Sequence, residues 1–455
     1  MSGKAKKNTA DEPEFHGMVR ITSLGCPKNF VDTELASASF LCAGFGLAAD
    51  DESADIQFVN TCAFLREARK EASSVIQLLK SWKRKKKGRR VLVAGCFVEW
   101  AKKEDLAGFP FVDAWIPIDS AADAGKIALS LLNGVPYTPE KHPSPKYLYS
   151  HETPRIQLTP QHYAYLKIAD GCDNHCAYCM IPSIRGPLRS RTADSVVKEA
   201  GALLESGVKE LILIAQDSGA FGRDAYGKPG LAGLLRKLDK LPGDFRIRLM
   251  YLHPASVTPE LLDALAESAH LIRCVEMPVQ HIADPVLRAM NRKVFEKRTR
   301  EVVSEIRAIG YSIRTTLLTG FPGETETDFR KLLDFVRETR FERLGVFAYS
   351  KEEGTPAAEL PNQVSPALAE KRRGALLELQ KSISLENNRA LVGKETDVIV
   401  DEVVSRSRAV GRTLFDAPDI DNRVSLRTRR PVGQGEIVRA AVIQASEYEI
   451  EATVP

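Results

Sequence analysis

Six of the eight cysteines fall into two patterns that could do chemistry. Cys172, Cys176 and Cys179 stand as C-x-x-x-C-x-x-C in DGCDNHCAYCMIP. Three thiolates this close in sequence can grip one metal centre. Structural zinc ordinarily takes a fourth ligand. His175 lies inside the loop, but no Cys or His follows at finger spacing. A four-iron cubane normally takes four cysteines. With three, one iron is left to bind something else. In a reducing compartment this spacing favours an iron–sulfur cluster over zinc, and over three structural thiols.

The second set is Cys26, Cys62 and Cys96, separated by 36 and 34 residues. Each follows a strand-like run: SLG before Cys26, VNT before Cys62, VAG before Cys96. In an open parallel sheet the C-terminal strand ends line one edge, where ligands gather. Buried cysteines are common core residues, yet three repeats of strand-then-cysteine point to a second three-thiolate cluster. Cys42 lies on an apolar helical stretch and Cys274 in a strand-like run, and both read as core.

The elements that must hold these thiols divide the chain. Residues 1–16 are polar and read as a disordered tail. Residues 17–130 alternate short β-rich runs (19–25, 56–61, 90–95, 113–117) with helical stretches (31–45, 66–82), the pattern of an open parallel α/β sheet. Six prolines between 136 and 160 place a linker at 131–160. Over 161–390 six further strand-like runs alternate with helices, which suits a partial (βα)6 barrel, since eight units are needed for closure. Thr258-Pro259 and Ser365-Pro366 are helix starts, and Thr325 with Asp328 resembles a capping box. Residues 391–455 hold five short strand-like runs with polar turns, the pattern of a small antiparallel β-barrel.

Lys+Arg and Asp+Glu number 64 and 60, a net charge of +4, which excludes a polybasic coat protein but not a local patch. No apolar run approaches the roughly 18 residues that span a bilayer. The N-terminus lacks the apolar stretch of a secretion signal. The expectation is a cytoplasmic protein with reduced thiols and no membrane partner.

A three-cysteine loop at the end of the first strand of a six-unit βα domain resembles the radical S-adenosylmethionine superfamily. Adding the first domain and the last barrel, the chain resembles the methylthiotransferase family, whose final barrel is called TRAM. The resemblance covers nearly everything after residue 16. It is carried by SLGCPKNFVDTE (23–34), VNTCAF (59–64), YLKIADGCDNHCAYCMIPSIRG (165–186), AQDSGAFG (215–222), MPVQHI (277–282) and FAYSKEEGTPA (347–357). These motifs look like the branch that modifies an aspartate of small-subunit ribosomal protein twelve. The branch that modifies an adenosine beside the tRNA anticodon typically has Gln and Met where this chain has Pro27 and Lys28.

The resemblance implies two [4Fe-4S] clusters, one on each cysteine triad, with S-adenosyl-L-methionine bound at the open iron of the second. It implies hydrogen removal from the aspartate β-carbon, sulfur delivery from the first cluster, and a low-potential electron donor, flavodoxin or ferredoxin. Tyr178, the aromatic before the third cysteine, would pack near the adenine. Gln216, Asp217 and Ser218 end the second barrel strand, and Gln280 and His281 the fourth, positions that host ligands in such barrels. No Ser-His-Asp set, HExxH or phosphate loop is apparent, so no catalytic residue is assigned beyond the cluster ligands. Two other readings stay open: the tRNA methylthiotransferase, and a metal-stabilised RNA- or ribosome-binding protein without catalysis.

Charge offers a weaker guide. Residues 394–455 hold nine basic and eleven acidic residues, net −2, which suits a basic protein substrate better than tRNA. The Arg423–Arg430 stretch argues the other way. Removing this terminal barrel is expected to spare both thiol sets. The run KSWKRKKKGRR (80–90) holds eight basic residues. It reads as a solvated helix end or as a contact with ribosomal RNA.

Overall fold

The computed structural model describes residues 14–140 and 144–455. The tail expected over 1–16 falls, through residue 13, outside the described residues. The chain forms two compact units, one running to Tyr147 with 152–156, the other comprising Leu148–His151 and 157–455.

In the first unit β1 (Gly17–Ser23), β2 (Phe45–Leu47), β3 (Ile56–Thr61), β4 (Arg90–Gly95) and β5 (Ala114–Ile116) form one parallel sheet in the order β2-β1-β3-β4-β5. β3 is buried along its whole length and β4 from its second residue, which is why IQFVNT and RVLVAG read as nearly continuous apolar runs. Helix α1 (Pro27–Cys42) starts four residues before the expected position. Proline at the first helical position has the right φ and lacks an N–H that would go unpaired there. Phe40 closes the core by meeting Phe45 and Phe58 edge-on, with centroids 5.8 and 5.3 Å apart. Gly44, at φ +83, turns the chain out of α1 into β2, a three-residue edge strand the sequence pattern assigned to the helix end. Helix α2 (Arg66–Arg84) follows β3.

The second unit begins with β6 (Tyr163–Lys167) and a small hairpin, β7 (Ala169–Asp170) with β8 (Arg189–Ser190). Then come β9 (Glu210–Ile214), β10 (Arg246–Leu249), β11 (Leu271–Glu276), β12 (Ser312–Thr319) and β13 (Arg343–Ala348). With β6 they make an open six-stranded parallel sheet in the order β13-β12-β11-β10-β9-β6, the expected partial barrel. The helix starts at Thr258, Thr325 and Ser365 cap as their sequences foretell. β14 (Glu395–Ser405), β15 (Arg408–Thr413), β16 (Arg423–Thr428), β17 (Ile437–Ala445) and β18 (Glu449–Val454) close a small barrel. Its pairings are antiparallel except for β16 with β18, which run parallel. No described helix is long and apolar enough to cross a membrane.

The small barrel meets the N-terminal ends of the core strands through buried charge. Glu210 lies 2.6 Å from Arg248 and 2.6 Å from Arg412. Arg314 reaches Asp421 at 3.1 Å and Arg343 reaches Asp416 at 2.6 Å. His162 Nε2 stands 2.8 Å from Asp401, and the Tyr163 hydroxyl donates to Asp419 at 3.1 Å. Deleting residues 394–455 would strip partners from Glu210, Arg314 and Arg343 inside the core. The terminal barrel is therefore tied into the core by buried ion pairs. Truncating one partner of a buried pair costs about 3–5 kcal/mol, so Arg412→Ala should lower the urea-unfolding free energy by that order. Burial opposes ionisation of Glu210, but Arg248 and Arg412 outweigh it and hold the pKa down at about 2, against an ordinary 4.5. A depressed carboxylate stabilises above its ordinary range, so this contribution should fade as pH falls from about 4.5 toward 2. In Arg412→Ala the fading should be weaker.

Candidate functional site

The first triad is built by strand register. β1, β3 and β4 are consecutive neighbours, with Ser23 opposite Asn60 and Thr61 opposite Gly95. Cys62 and Cys96 thus leave adjacent strands at the same level, and Cys26 leaves the next strand as the N-cap of α1. The turn is tight: a Cβ on Gly25, at φ +94, would stand 3.0 Å from Cys62 Sγ. At Gly95, also at φ +94, it would stand 2.2 Å from Asn60 Oδ1. The Asn60 amide donates to Asn29 O at 2.8 Å and to Thr33 Oγ1 at 2.9 Å, and the Asn29 amide donates to Leu24 O at 2.6 Å. This network fixes the Cys26 loop. The helix dipole favours negative charge at the start of α1, where Cys26 sits. Lys28 is buried behind it. Cys42 is exposed at the last turn of α1, not in the core as its apolar context suggested, because the helix ends there. Cys274 is buried, as expected.

The second triad sits in a loop pinned by main-chain bonds. The Cys172 N–H donates to Gly186 O at 3.1 Å, the Ala177 N–H to Met290 O at 2.9 Å, and the Cys179 N–H to Cys176 O at 2.9 Å. His175 takes φ +46 and its carbonyl accepts from the Asn291 amide at 2.9 Å. Donors face the sulfurs: Ile181 N–H lies 3.4 Å from Cys179 Sγ and Arg292 Nη1 lies 3.9 Å from Cys176 Sγ. Arg292 is itself buried and held by Pro278 O at 2.7 Å. Burial pushes the Cys172 thiol up to about 11 and the Cys179 thiol to about 12, with the neighbouring thiols adding to both. Two thiols held protonated by burial, and a third beside a buried guanidinium, suit a metal cluster that binds all three as thiolates.

Among the described residues no three Cys, His, Asp or Glu side chains converge tightly enough for a single ion, and His175 is exposed. Ligands of one zinc lie about 2.3 Å from it, whereas a cubane spreads its thiolates over separate irons.

The structure gathers the remaining sequence candidates around this loop with different jobs. Tyr178 is partly buried, its phenol pushed well above the ordinary range by desolvation and the adjacent thiols, and its ring meets Phe321 edge-on at 6.3 Å. Asp217 accepts from the Asn174 amide at 2.8 Å, tying the cysteine loop to the end of β9, and burial raises its carboxyl. Gln216 donates to Asp170 at 2.7 Å, and its Oε1 is buried with no hydrogen-bond partner. Burial would raise the Asp170 carboxyl, but Arg185 and Lys167 pull it far below the ordinary range. Ser218 spends its hydroxyl on Met250 O at 2.6 Å and so ties two strand ends together. His281 accepts from Ala283 N–H at 3.0 Å, and burial with Arg372 drops its pKa to about 3. It is neutral, so its 3.8 Å approach to Glu324 is not an ion pair. Tyr251 and Gln280 take φ +61 and +70 at the C-terminal ends of β10 and β11. Strain in non-glycine residues of this kind gathers at ligand sites.

Sequence reasoning missed Arg292, Asn174 and Asn60. Arg292 and Asn60 act on a cysteine loop from a distant segment, Asn174 lies inside the loop that it ties to Asp217, and only the glycine-rich, asparagine-bearing context of the motifs hinted at the last two.

Comparison with known proteins covers all three regions. Residues 166–336 match the radical SAM superfamily, 18–117 an uncharacterized protein family (UPF0004), and 392–454 the TRAM domain. "Ribosomal protein uS12 methylthiotransferase RimO" of Desulforamulus reducens is 39% identical over 439 residues, 95% of this chain and 98% of that protein. The proteins of that name in Citrifermentans bemidjiense and Elusimicrobium minutum are each 41% identical, over 95% and 94% of this chain and 97% of theirs. Among solved structures, the radical S-adenosylmethionine methyltransferase TsrM of Kitasatospora setae, with cobalamin and a [4Fe-4S] cluster bound, superposes with a TM-score of 0.54 at 15% identity, covering 75% of this chain and 76% of its own. The cobalamin-dependent radical enzyme OxsB superposes with a TM-score of 0.55 at 13% identity, covering 80% and 56%. Those two share the fold. The full-length relatives show more: this chain is a radical S-adenosylmethionine methylthiotransferase and belongs to the RimO family.

Proposed function

We propose that this enzyme replaces one hydrogen on the β-carbon of an aspartate in small-subunit ribosomal protein uS12 with a methylthio group. The observation that carries this reading is the full-length similarity to proteins named for uS12 methylthiolation. Cys172, Cys176 and Cys179 would hold the cluster that binds S-adenosylmethionine, and Cys26, Cys62 and Cys96 a second one. When bound, these groups supply the one-electron cleavage of S-adenosylmethionine and the sulfur, chemistry the β-hydrogen requires because it has no useful acidity. The chain's own residues prepare the site. Asp217 and Asn174 fix the cysteine loop, Tyr178 and Phe321 form an aromatic wall, and Arg292 places a buried cation beside Cys176. A flavodoxin or ferredoxin would deliver the electron in the cytoplasm.

The charge of the small barrel supports a protein over tRNA only mildly. Arg427, Arg430 and Arg439 pair with Glu451, Glu436 and Glu395, which dampens the basic stretch. The acidic run is partly answered as well, since Glu447 lies 4.0 Å from Lys381.

Mass spectrometry of uS12 and of tRNA from a strain lacking this gene tests the reading. The methylthio group should disappear from the aspartate and persist on tRNA adenosine. The opposite pattern would assign the chain to tRNA.

A further inference from the structure

The run 80–90 carries more positive charge than its fold uses. Four of its eight basic residues have internal work. Lys83 Nζ lies 2.6 Å from Asp113 and 2.7 Å from Phe111 O. Lys86 reaches Asp55 at 2.8 Å, and Arg90 lies 3.8 Å from Asp113. Arg89 donates to Trp82 O at 2.9 Å and Glu52 O at 3.0 Å, and lies over the Trp82 ring. The side chains of the other four, Lys80, Arg84, Lys85 and Lys87, make no hydrogen bond or ion pair among the described residues, and the last three residues are exposed. A cation or two at the end of α2 answers the helix dipole, but four within eight residues, with no acidic residue in the run, repel one another.

Beside them lies an aromatic group. Phe109 meets Phe111 at 6.3 Å and Trp115 at 6.1 Å, and all three rings are only partly buried. Lys83, bonded to the Phe111 carbonyl, joins the two features. Surplus cations next to partly exposed rings are the means by which proteins hold unpaired RNA, phosphates on the charges and bases on the rings. The patch lies where β4 begins, and Cys96 follows that strand's other end, roughly 20 Å away at about 3.3 Å per residue. It can therefore bind without touching the thiols of its own unit.

We infer that Lys80, Arg84, Lys85 and Lys87, with the Phe109–Phe111–Trp115 group, form a docking surface for RNA. The inference rests on the proposed substrate, a protein that resides in an RNA particle. It makes the ribosomal particle, rather than free uS12, the partner that is captured.

The test uses the full-length protein carrying Lys80→Gln, Arg84→Gln, Lys85→Gln and Lys87→Gln together. Affinity for small ribosomal subunits and for a naked ribosomal RNA fragment is measured between about 50 and 200 mM salt, beside methylthiolation of isolated uS12. Each lost phosphate contact should flatten the plot of log affinity against log salt by about 0.7–0.9, close to 3 for all four. RNA affinity at low salt should fall at least tenfold, and turnover on isolated uS12 should be unchanged. Unchanged slope and RNA affinity would overturn the inference, as would a loss confined to anionic lipid vesicles with RNA binding intact. Lost RNA affinity in an enzyme that fails to modify uS12 would sustain the surface and overturn only the proposed substrate.

Discussion

Replacing Cys26, Cys62 and Cys96 together with alanine should abolish methylthiolation while S-adenosylmethionine is still cleaved to deoxyadenosine. The two triads belong to different compact units, each held by its own loop network, so losing one leaves the scaffold of the other in place. Asn60, Asn29 and Thr33 hold the Cys26 loop through atoms the substitutions do not touch. Anaerobic iron analysis should fall from about eight to about four irons per chain, with sulfide falling in parallel. Loss of cleavage from a folded variant that keeps four irons would show that the roles of the triads are wrongly assigned.

Cys176→Ala should give the complementary result. It removes the sulfur beside Arg292 and leaves a buried guanidinium without the anionic partner a cluster would provide. Deoxyadenosine formation should drop to background, because the radical step has no substitute among side chains. The four irons of the other triad should remain visible by electron paramagnetic resonance. Retained deoxyadenosine formation in this variant would exclude the loop as the cleavage site.

Much of the site was legible because each cysteine follows a local signal. IQFVNT and RVLVAG are buried central strands, and buried parallel strands announce themselves as continuous apolar runs. A cysteine after such a run must lie at the sheet's C-terminal edge. Less was legible where the determining contact is remote. Nothing near Glu210 says that it will meet Arg412, and nothing near Arg292 says that it will meet Cys176, since pairing across many residues leaves no periodicity to read. Cys42 misled for a related reason: an apolar neighbourhood in sequence says little at a helix's last turn, where the chain swings outward. The edge strand Phe45–Leu47 was too short to stand out against the helix before it. In the terminal barrel the strands were readable but not their pairing, and the parallel β16–β18 pair depends on the order in which the barrel closes.

The most direct test of the central claim follows one hydrogen atom. The reconstituted enzyme is given uS12 carrying deuterium on its aspartate β-carbons, with S-adenosylmethionine and a low-potential reductant under anaerobic conditions. Deuterium should appear in deoxyadenosine, and the methylthio group on an aspartate of the same protein. Deoxyadenosine free of deuterium, with uS12 unchanged and a methylthio group appearing on added tRNA, would contradict the account.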